Sequence, residues 1–185
     1  MPEFMIILDA LASLSSLIAA WHASSHSRST WLWSVAAASI NFVLYCKAGV
    51  YGHAALDLWY IAVAILGLGL WKNQHVNRLT LKQKIMLGFI ILFTSYVLEF
   101  VLIKVNSQAA RWDSLSFVTG ITAQLCMAFQ LIDHWWLWLI HDGMNLIVLS
   151  QVKLPFQIVK QTIYLLIAVR GYYRWLAINK AADHH

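Results

Sequence analysis

Charged residues are scarce in this chain. Only 11% of its 185 residues are charged and 61% are hydrophobic, whereas a soluble domain carries about 25% charged residues. A soluble chain of this length could not bury so much apolar surface. Cysteine and proline are also scarce, at two residues each. Cys46 and Cys126 lie in apolar stretches without disulfide or metal-ligand spacing, so we expect reduced packing residues, no metal site and no cofactor.

Polar domains and low-complexity tracts are absent as well. An intramembrane hydrolase would need a nucleophile and a base, or a metal cluster, at one membrane depth. The serine and histidine residues fall mostly outside the interiors of the apolar stretches, so we predict that the chain is not an enzyme. The net charge of +5 is interpreted as a topology signal with contact to the lipid bilayer, and nothing indicates nucleic-acid binding.

What the chain does have is a series of long apolar stretches. About 20 apolar residues are needed to cross a bilayer as a helix. Seven stretches approach that length, at residues 5–21, 31–48, 54–71, 85–103, 114–131, 135–151 and 156–176. The sequence therefore predicts an all-α membrane protein with seven transmembrane helices, in which residues 1–185 form a single transmembrane domain.

An internal duplication divides these seven stretches. Residues 9–71 aligned without gaps on residues 113–175, at an offset of 104, give nine identities in 63 pairs. The identical pairs are Asp9/Asp113, Leu11/Leu115, Ala19/Ala123, Trp31/Trp135, Asn41/Asn145, Tyr60/Tyr164, Ala64/Ala168, Gly67/Gly171 and Trp71/Trp175. We predict two three-helix repeats joined by a connector helix at 85–103. One connector gives both repeats the same orientation, about an axis along the membrane normal.

The distribution of lysine and arginine predicts the topology. Seven basic residues fall on one side of the predicted helices and four on the other. The seven are Arg28, Lys72, Arg78, Lys82, Lys84, Arg174 and Lys180, and the four are Lys47, Lys104, Arg111 and Lys153. The positive-inside rule places the seven in the cytoplasm, with the N-terminus outside and the C-terminus in the cytoplasm. Lys160 and Arg170, inside the last stretch, are expected to snorkel to opposite surfaces. The alternative for Lys160, which is next to Gln161, is to serve as a counter-ion for Asp57 or Asp142.

Polar residues at membrane depth are the candidates for a substrate site. Trp135, Trp138, Asp142 and Asn145 are spaced by 3, 4 and 3 residues, which places them on one helical face. A carboxylate near the bilayer centre costs about 2.5–3.5 kcal/mol, so we expect Asp142 to face a cavity. Trp138 is a candidate stacking platform. The alternative for the Asn41/Asn145 pair is hydrogen bonding that holds the helices together.

Two further expectations concern aromatic residues. Trp71 and Trp175 lie near the ends of their stretches, where tryptophan is enriched as an interface anchor, so we expect both at the membrane interface. His141 is next to Asp142 but points about 100° away around the helix, so we do not expect a proton relay between them.

The segment from Trp135 to Asp142 resembles the W-x-x-W-x-x-x-D motif of the Pnu family of bacterial vitamin transporters. Further similarity lies in Asp113 with Ala123-Gln124, in Asn41-Phe42-Val43-Leu44-Tyr45, in Lys47-Ala48-Gly49-Val50-Tyr51, and in Tyr60, Gly67 and Trp71. The resemblance implies a SWEET-like 3+1+3 bundle in the bacterial inner membrane. It also implies facilitated diffusion of a vitamin precursor that an intracellular kinase then phosphorylates, and a site that includes Asn41, Gln124, Trp135, Trp138, Asp142 and Asn145.

Together with polar residues of the second, third and seventh stretches, the predicted substrate-binding set is Asn41, Tyr45, Asp57, Gln124, Trp135, Trp138, Asp142, Asn145, Gln161 and Tyr164. The resemblance implies nicotinamide riboside, thiamine, riboflavin or a related compound. Asp57 departs from the glutamine of the nicotinamide riboside branch, and a carboxylate suits the exocyclic amine of thiamine. We therefore expect thiamine, with nicotinamide riboside or a sugar as the alternatives. Whether copies of the chain form a homo-oligomer stays open.

Overall fold

The structure is a computed structural model that describes residues 3–48, 51–71, 76–104, 110–151 and 155–182. Within them the chain forms seven helices: α1 (Glu3–Ser24), α2 (Thr30–Ala48), α3 (Tyr51–Leu70), α4 (Leu81–Lys104), α5 (Ala110–Ala128), α6 (His134–Gln151) and α7 (Pro155–Ala182). The prediction of seven helices is confirmed, although α7 continues six residues past the predicted end at 176. Gly49 and Val50 of the first-repeat motif, and Lys72 and Lys153, lie outside the described residues.

Local signals set several helix ends. Thr80 and Gln83 form a capping box at the start of α4, in which the backbone N–H of Thr80 donates to Gln83 Oε1 over 2.8 Å and that of Gln83 to Thr80 Oγ1 over 3.4 Å. α1 and α5 end in left-handed residues, His26 with φ 53° and Gln130 with φ 56°. At both ends the following N–H bonds back five residues, Ser27 to His22 and Leu131 to Cys126, as in a Schellman motif.

Six of the helices form a closed ring. α1 packs against α2, α2 against α3, α3 against α5, α5 against α6, α6 against α7, and α7 against α1. Helix α4 packs against α5 on the outside of this six-helix ring. The ring therefore leaves room for a cavity at its centre, and α4 contributes little to its wall.

An aromatic cluster of His26, Trp31, Trp71, His134, Trp135 and Trp175 fills one end of the ring. Its contacts recur at an offset of 104 residues. A Cβ added to Gly67 would overlap the indole of Trp31, and one added to Gly171 would overlap that of Trp135. Glycine is therefore what allows α3 and α7 to approach these rings.

The positions of Trp71 and Trp175 differ from the prediction. Both were expected at the membrane interface because they lie near helix ends, yet both are buried in the aromatic cluster. Trp71 Nε1 donates to the carbonyl of Met127 over 3.2 Å, and Trp175 Nε1 donates to that of Ala23 over 2.9 Å. Trp71 thus links the end of α3 to the end of α5, and Trp175 links α7 to the end of α1. Position along a helix predicts the depth of a side chain in the membrane, but not whether the side chain faces lipid or another helix.

The outer surface is apolar. Phe89 and Phe93 of α4 are each 71% exposed, which suits contact with lipid rather than water. Judged by length and composition alone, α1 and α4 are long and apolar enough to cross a membrane, while the apolar part of α3, Ala54–Leu70, is shorter. All six helices of the ring carry polar residues that line the central cavity.

Candidate functional site

A central cavity of about 470 Å³ lies within the six-helix ring. Its wall contains all ten residues predicted from sequence to bind substrate: Asn41, Tyr45, Asp57, Gln124, Trp135, Trp138, Asp142, Asn145, Gln161 and Tyr164. These residues come from α2, α3, α5, α6 and α7, and Ser16 of α1 completes the circle. The volume suits a molecule of vitamin size.

Asp142 is held in place by the neighbouring helix. Gln161 Nε2 on α7 donates a hydrogen bond to Asp142 Oδ1 on α6. Both side chains are buried and line the cavity. The carboxylate is therefore oriented before any ligand arrives, as the expectation of a cavity-facing Asp142 requires.

Lys160 faces the cavity, so the expectation that it would snorkel to the surface is wrong. Its side chain is buried and lines the cavity, with Nζ 5.9 Å from the centre of the Tyr164 ring. It interacts electrostatically with Asp9, Asp57 and Asp142. Since it is buried and shares the cavity wall with Asp57 and Asp142, Lys160 belongs to the cavity rather than to the membrane surface.

A hydrogen-bonded network fixes Asn145. Ser116 Oγ donates to Asn145 Oδ1 over 2.6 Å, and Asn145 Nδ2 donates to His141 Nε2 over 2.9 Å. His141 Nδ1 in turn lies 2.8 Å from the carbonyl of Ser116, so the imidazole is the neutral tautomer with its proton on Nδ1. Asn41 is similarly engaged, with Nδ2 3.4 Å from Ser16 Oγ. Both amides therefore join helices as well as lining the cavity.

His141 is the residue that sequence reasoning missed. Because it is next to Asp142 in the sequence, His141 points about 100° away from Asp142 around the helix, and it was not among the residues predicted to line the cavity. In the structure it is buried, lines the cavity and contacts α5. The signal that could have found it is Gly120: a Cβ there would lie 2.8 Å from the His141 ring and 2.8 Å from Tyr60 Oη.

The aromatic wall of the cavity centres on Trp138. Its ring lies 6.4 Å from that of Tyr60 and 5.3 Å from that of His141, centre to centre. Trp135 lies deeper, 5.9 Å from Trp175, and forms the boundary with the aromatic cluster. Trp138 is therefore the better placed of the two tryptophans to stack on a flat ligand.

Several buried polar atoms of the cavity wall have no hydrogen-bond partner within the described part of the chain. They are Asn41 Oδ1, Asp57 Oδ2, Tyr60 Oη and Trp135 Nε1. Leaving such groups unsatisfied costs about 1–3 kcal/mol each. Because they offer both acceptors and donors, a ligand with hydroxyl and amide groups could satisfy them together.

The aromatic cluster closes the end of the cavity where α1 ends. His26 Nε2 lies 3.1 Å from Gln130 Oε1, and its ring is 4.8 Å from that of Trp71 and 4.6 Å from that of Trp175. His26 lies in the connection between α1 and α2, and burial lowers its pKa from the usual 6.5. The imidazole is therefore neutral at pH 7 and packs as an aromatic ring.

This ring of helices around a polar and aromatic cavity is an arrangement that suits a membrane transporter. Residues 6–177 match the sequence model of the family described as nicotinamide mononucleotide transporter, and the chain belongs to that family. Its fold is similar to that of the vitamin B3 transporter PnuC, with a TM-score of 0.81 and 19% identity over 94% of this chain and 82% of the other. The resemblance to the Pnu family is confirmed, while the comparisons give no support to thiamine.

Proposed function

We propose that this protein carries a nicotinamide nucleoside across the bacterial inner membrane by facilitated diffusion. The observation that carries the proposal is the cavity itself, in which Trp138 lies beside the oriented Asp142. Family membership and the fold shared with a vitamin B3 transporter support the same substrate class. The nicotinamide ring would stack on Trp138, and its positive charge would be drawn by the carboxylates.

The charge of the cavity favours a nucleoside over a nucleotide. Among the described residues of its wall, three carboxylates (Asp57, Asp113 and Asp142) face one ammonium group, that of Lys160. A phosphate group would lose its hydration and meet net negative charge, which is unfavourable at low dielectric. The ribose hydroxyls, in contrast, can donate to Asp57 Oδ2 and Asn41 Oδ1, which have no other partner in the described chain.

Thiamine is the second candidate. Asp57 Oδ2 is a buried acceptor that could receive the exocyclic amine of the aminopyrimidine ring. However, the compounds named for the family and for the similar structure are nicotinamide mononucleotide and vitamin B3. Nicotinamide riboside therefore takes first place, which reverses the preference drawn from Asp57 in the sequence.

The packing of the helices supports a protein built from two similar halves. We infer that residues 9–71 and 113–175 are parallel repeats in a single domain, with an axis along the membrane normal and α4 as connector. The packing pairs α1·α2, α2·α3 and α3·α5 correspond to α5·α6, α6·α7 and α7·α1. His26 contacts Gln130, its counterpart 104 residues on. A residue meets its own counterpart only near an axis, so this contact supports one passing through the aromatic cluster.

With the N-terminus outside, the aromatic cluster would close the cavity toward the cytoplasm and substrate would enter from outside. Accumulation would then depend on an intracellular vitamin kinase, since the mechanism uses no gradient.

Calorimetry on the purified protein tests the substrate. We expect binding of nicotinamide riboside that is at least roughly tenfold tighter than binding of thiamine, corresponding to about 1.4 kcal/mol, and no measurable binding of nicotinamide mononucleotide. Tighter binding of thiamine would move the second candidate to first place. Tight binding of the mononucleotide would contradict the electrostatic argument, and binding of none of the three would contradict the proposed substrate class.

A further inference from the structure

Lys160 has no role in the function proposed so far. It is the only lysine or arginine among the described residues that line the cavity. A lysine side chain at membrane depth is costly, so such residues face a cavity or a partner. Lys160 does both, since it lines the cavity and interacts with carboxylates on α1, α3 and α6.

The two halves of the protein differ at this position. Lys160 and Gln161 on α7 correspond, at the offset of 104, to Leu56 and Asp57 on α3. The first half therefore contributes a carboxylate where the second contributes an amide, and the second half contributes the cation. Asp142 adds to this asymmetry, because its counterpart is Ala38. The cavity thus carries a charge pattern that the duplication alone does not generate.

We propose that Lys160 is a specificity-determining residue, a tethered cation that compensates Asp57 and Asp142 and so sets the charge of the substrate that the cavity accepts. This proposal rests on the proposed transport function. The positive charge of Lys160 partly offsets the negative charge of the two carboxylates, so they attract a cationic ligand less strongly. Its removal leaves both carboxylates uncompensated at low dielectric, and the cavity then selects cationic ligands far more strongly over neutral ones.

The test compares two ligands of nearly the same shape. Nicotinamide riboside carries a positive charge on its ring, and its 1,4-dihydro form is neutral. In Lys160→Met, we expect the ratio of the two affinities to move toward the cation by roughly tenfold or more. Lys160→Arg retains the charge and should keep the wild-type ratio. Lys104→Met, at the exposed end of α4, is the matched control and should also keep it. An unchanged ratio in Lys160→Met overturns the proposal.

A second measurement needs no ligand. In detergent, the melting temperature should fall in Lys160→Met and recover at least partly in Lys160→Met/Asp57→Asn, because the second change removes an uncompensated carboxylate. A double variant no more stable than Lys160→Met overturns the charge compensation. If Lys160→Met does not fold, recovery of folded protein in the double variant supports the proposal, and failure of both contradicts it. If the wild-type protein binds no vitamin, both the proposed function and the role of Lys160 in specificity are refuted. The melting temperatures of Lys160→Met and of the double variant still test, on their own, whether Lys160 compensates the charge of the carboxylates.

Discussion

His26 and Gln130, which are 104 residues apart, meet through a hydrogen bond of 3.1 Å between Nε2 and Oε1. Each follows the end of a helix with a positive φ, 53° and 56°, and each is buried beneath the central cavity. Gln130 Oε1 accepts a hydrogen bond from His26 Nε2, and Trp71 and Trp175 pack against the imidazole ring. This contact joins the residues that follow α1 and α5 within the aromatic cluster.

The stability of the closed end should depend on pH. Burial lowers the pKa of His26 from its usual 6.5, so the unfolded chain binds the proton more tightly than the folded one. The neighbouring His134 interacts electrostatically with His26, so positive charges on the two rings would repel each other. Stability contributed by neutral His26 is therefore present above pH 6.5 and is lost as the pH falls below it.

We expect the melting temperature in detergent to decrease between pH 6.5 and pH 5, and His26→Gln to reduce that decrease. His22→Gln, a half-buried histidine earlier on the same side, serves as the control and should keep the wild-type dependence. An identical pH profile in His26→Gln would contradict this role.

The close approach of helices to the two buried tryptophans predicts a symmetric pair of destabilising variants. A Cβ on Gly67 or Gly171 would overlap Trp31 or Trp135, and overpacking of this kind costs about 1–3 kcal/mol. Gly67→Ala and Gly171→Ala should both lower the melting temperature. Gly69→Ala and Gly88→Ala, where an added Cβ meets nothing within 4 Å, should not. Equal melting temperatures for all four variants would argue against glycine-dependent packing.

Trp138 is expected to supply the stacking surface for the ligand. Trp138→Ala should weaken binding of nicotinamide riboside roughly tenfold or more, since a cation held over a desolvated indole gains about 1–2 kcal/mol. Trp136→Ala, whose ring is 54% exposed on the outer surface, is the matched control and should bind like wild type. Calorimetry on both variants decides this, and equal affinities would place the stacking surface elsewhere.

Asp142 is expected to hold the positive charge of the ligand. Asp142→Asn should lower the affinity for nicotinamide riboside by more than about tenfold, because an amide lacks the charge that attracts a cation. The affinity for the neutral dihydro form should change much less. Glu99→Gln, on α4 outside the cavity wall, should change neither affinity. An equal loss for both ligands in Asp142→Asn would indicate that Asp142 acts through packing or hydrogen bonding alone.

The sequence predicted the seven helices because long apolar stretches form helices in a membrane. It predicted the residues around the cavity because polar side chains in such stretches turn away from lipid, toward a cavity or a partner. Asp142, Gln161 and Tyr164 had to face inward, and they do. Lys160 was expected at the surface because a long side chain near a helix end can reach either the surface or a cavity. The outcome depends on which helices pack beside α7, and the sequence alone does not give that order.

Trp175 and His141 escaped prediction for a related reason. Periodicity gives the direction of a side chain on its own helix, but not which neighbouring helix approaches that face. Trp175 donates to a carbonyl of α1, and His141 contacts α5. Both contacts depend on the order of helices around the ring. The substrate was harder still, since thiamine and nicotinamide riboside are both aromatic cations and Asp57 suits either.

Uptake of radiolabelled nicotinamide riboside into liposomes that contain the purified protein tests the central claim most directly. For a facilitator, internal and external concentrations should only become equal, with or without an imposed proton or sodium gradient. Accumulation above the external concentration should require a nicotinamide riboside kinase and ATP inside the liposomes. Accumulation driven by either gradient in liposomes without the kinase, or no protein-dependent uptake at all, would contradict the account.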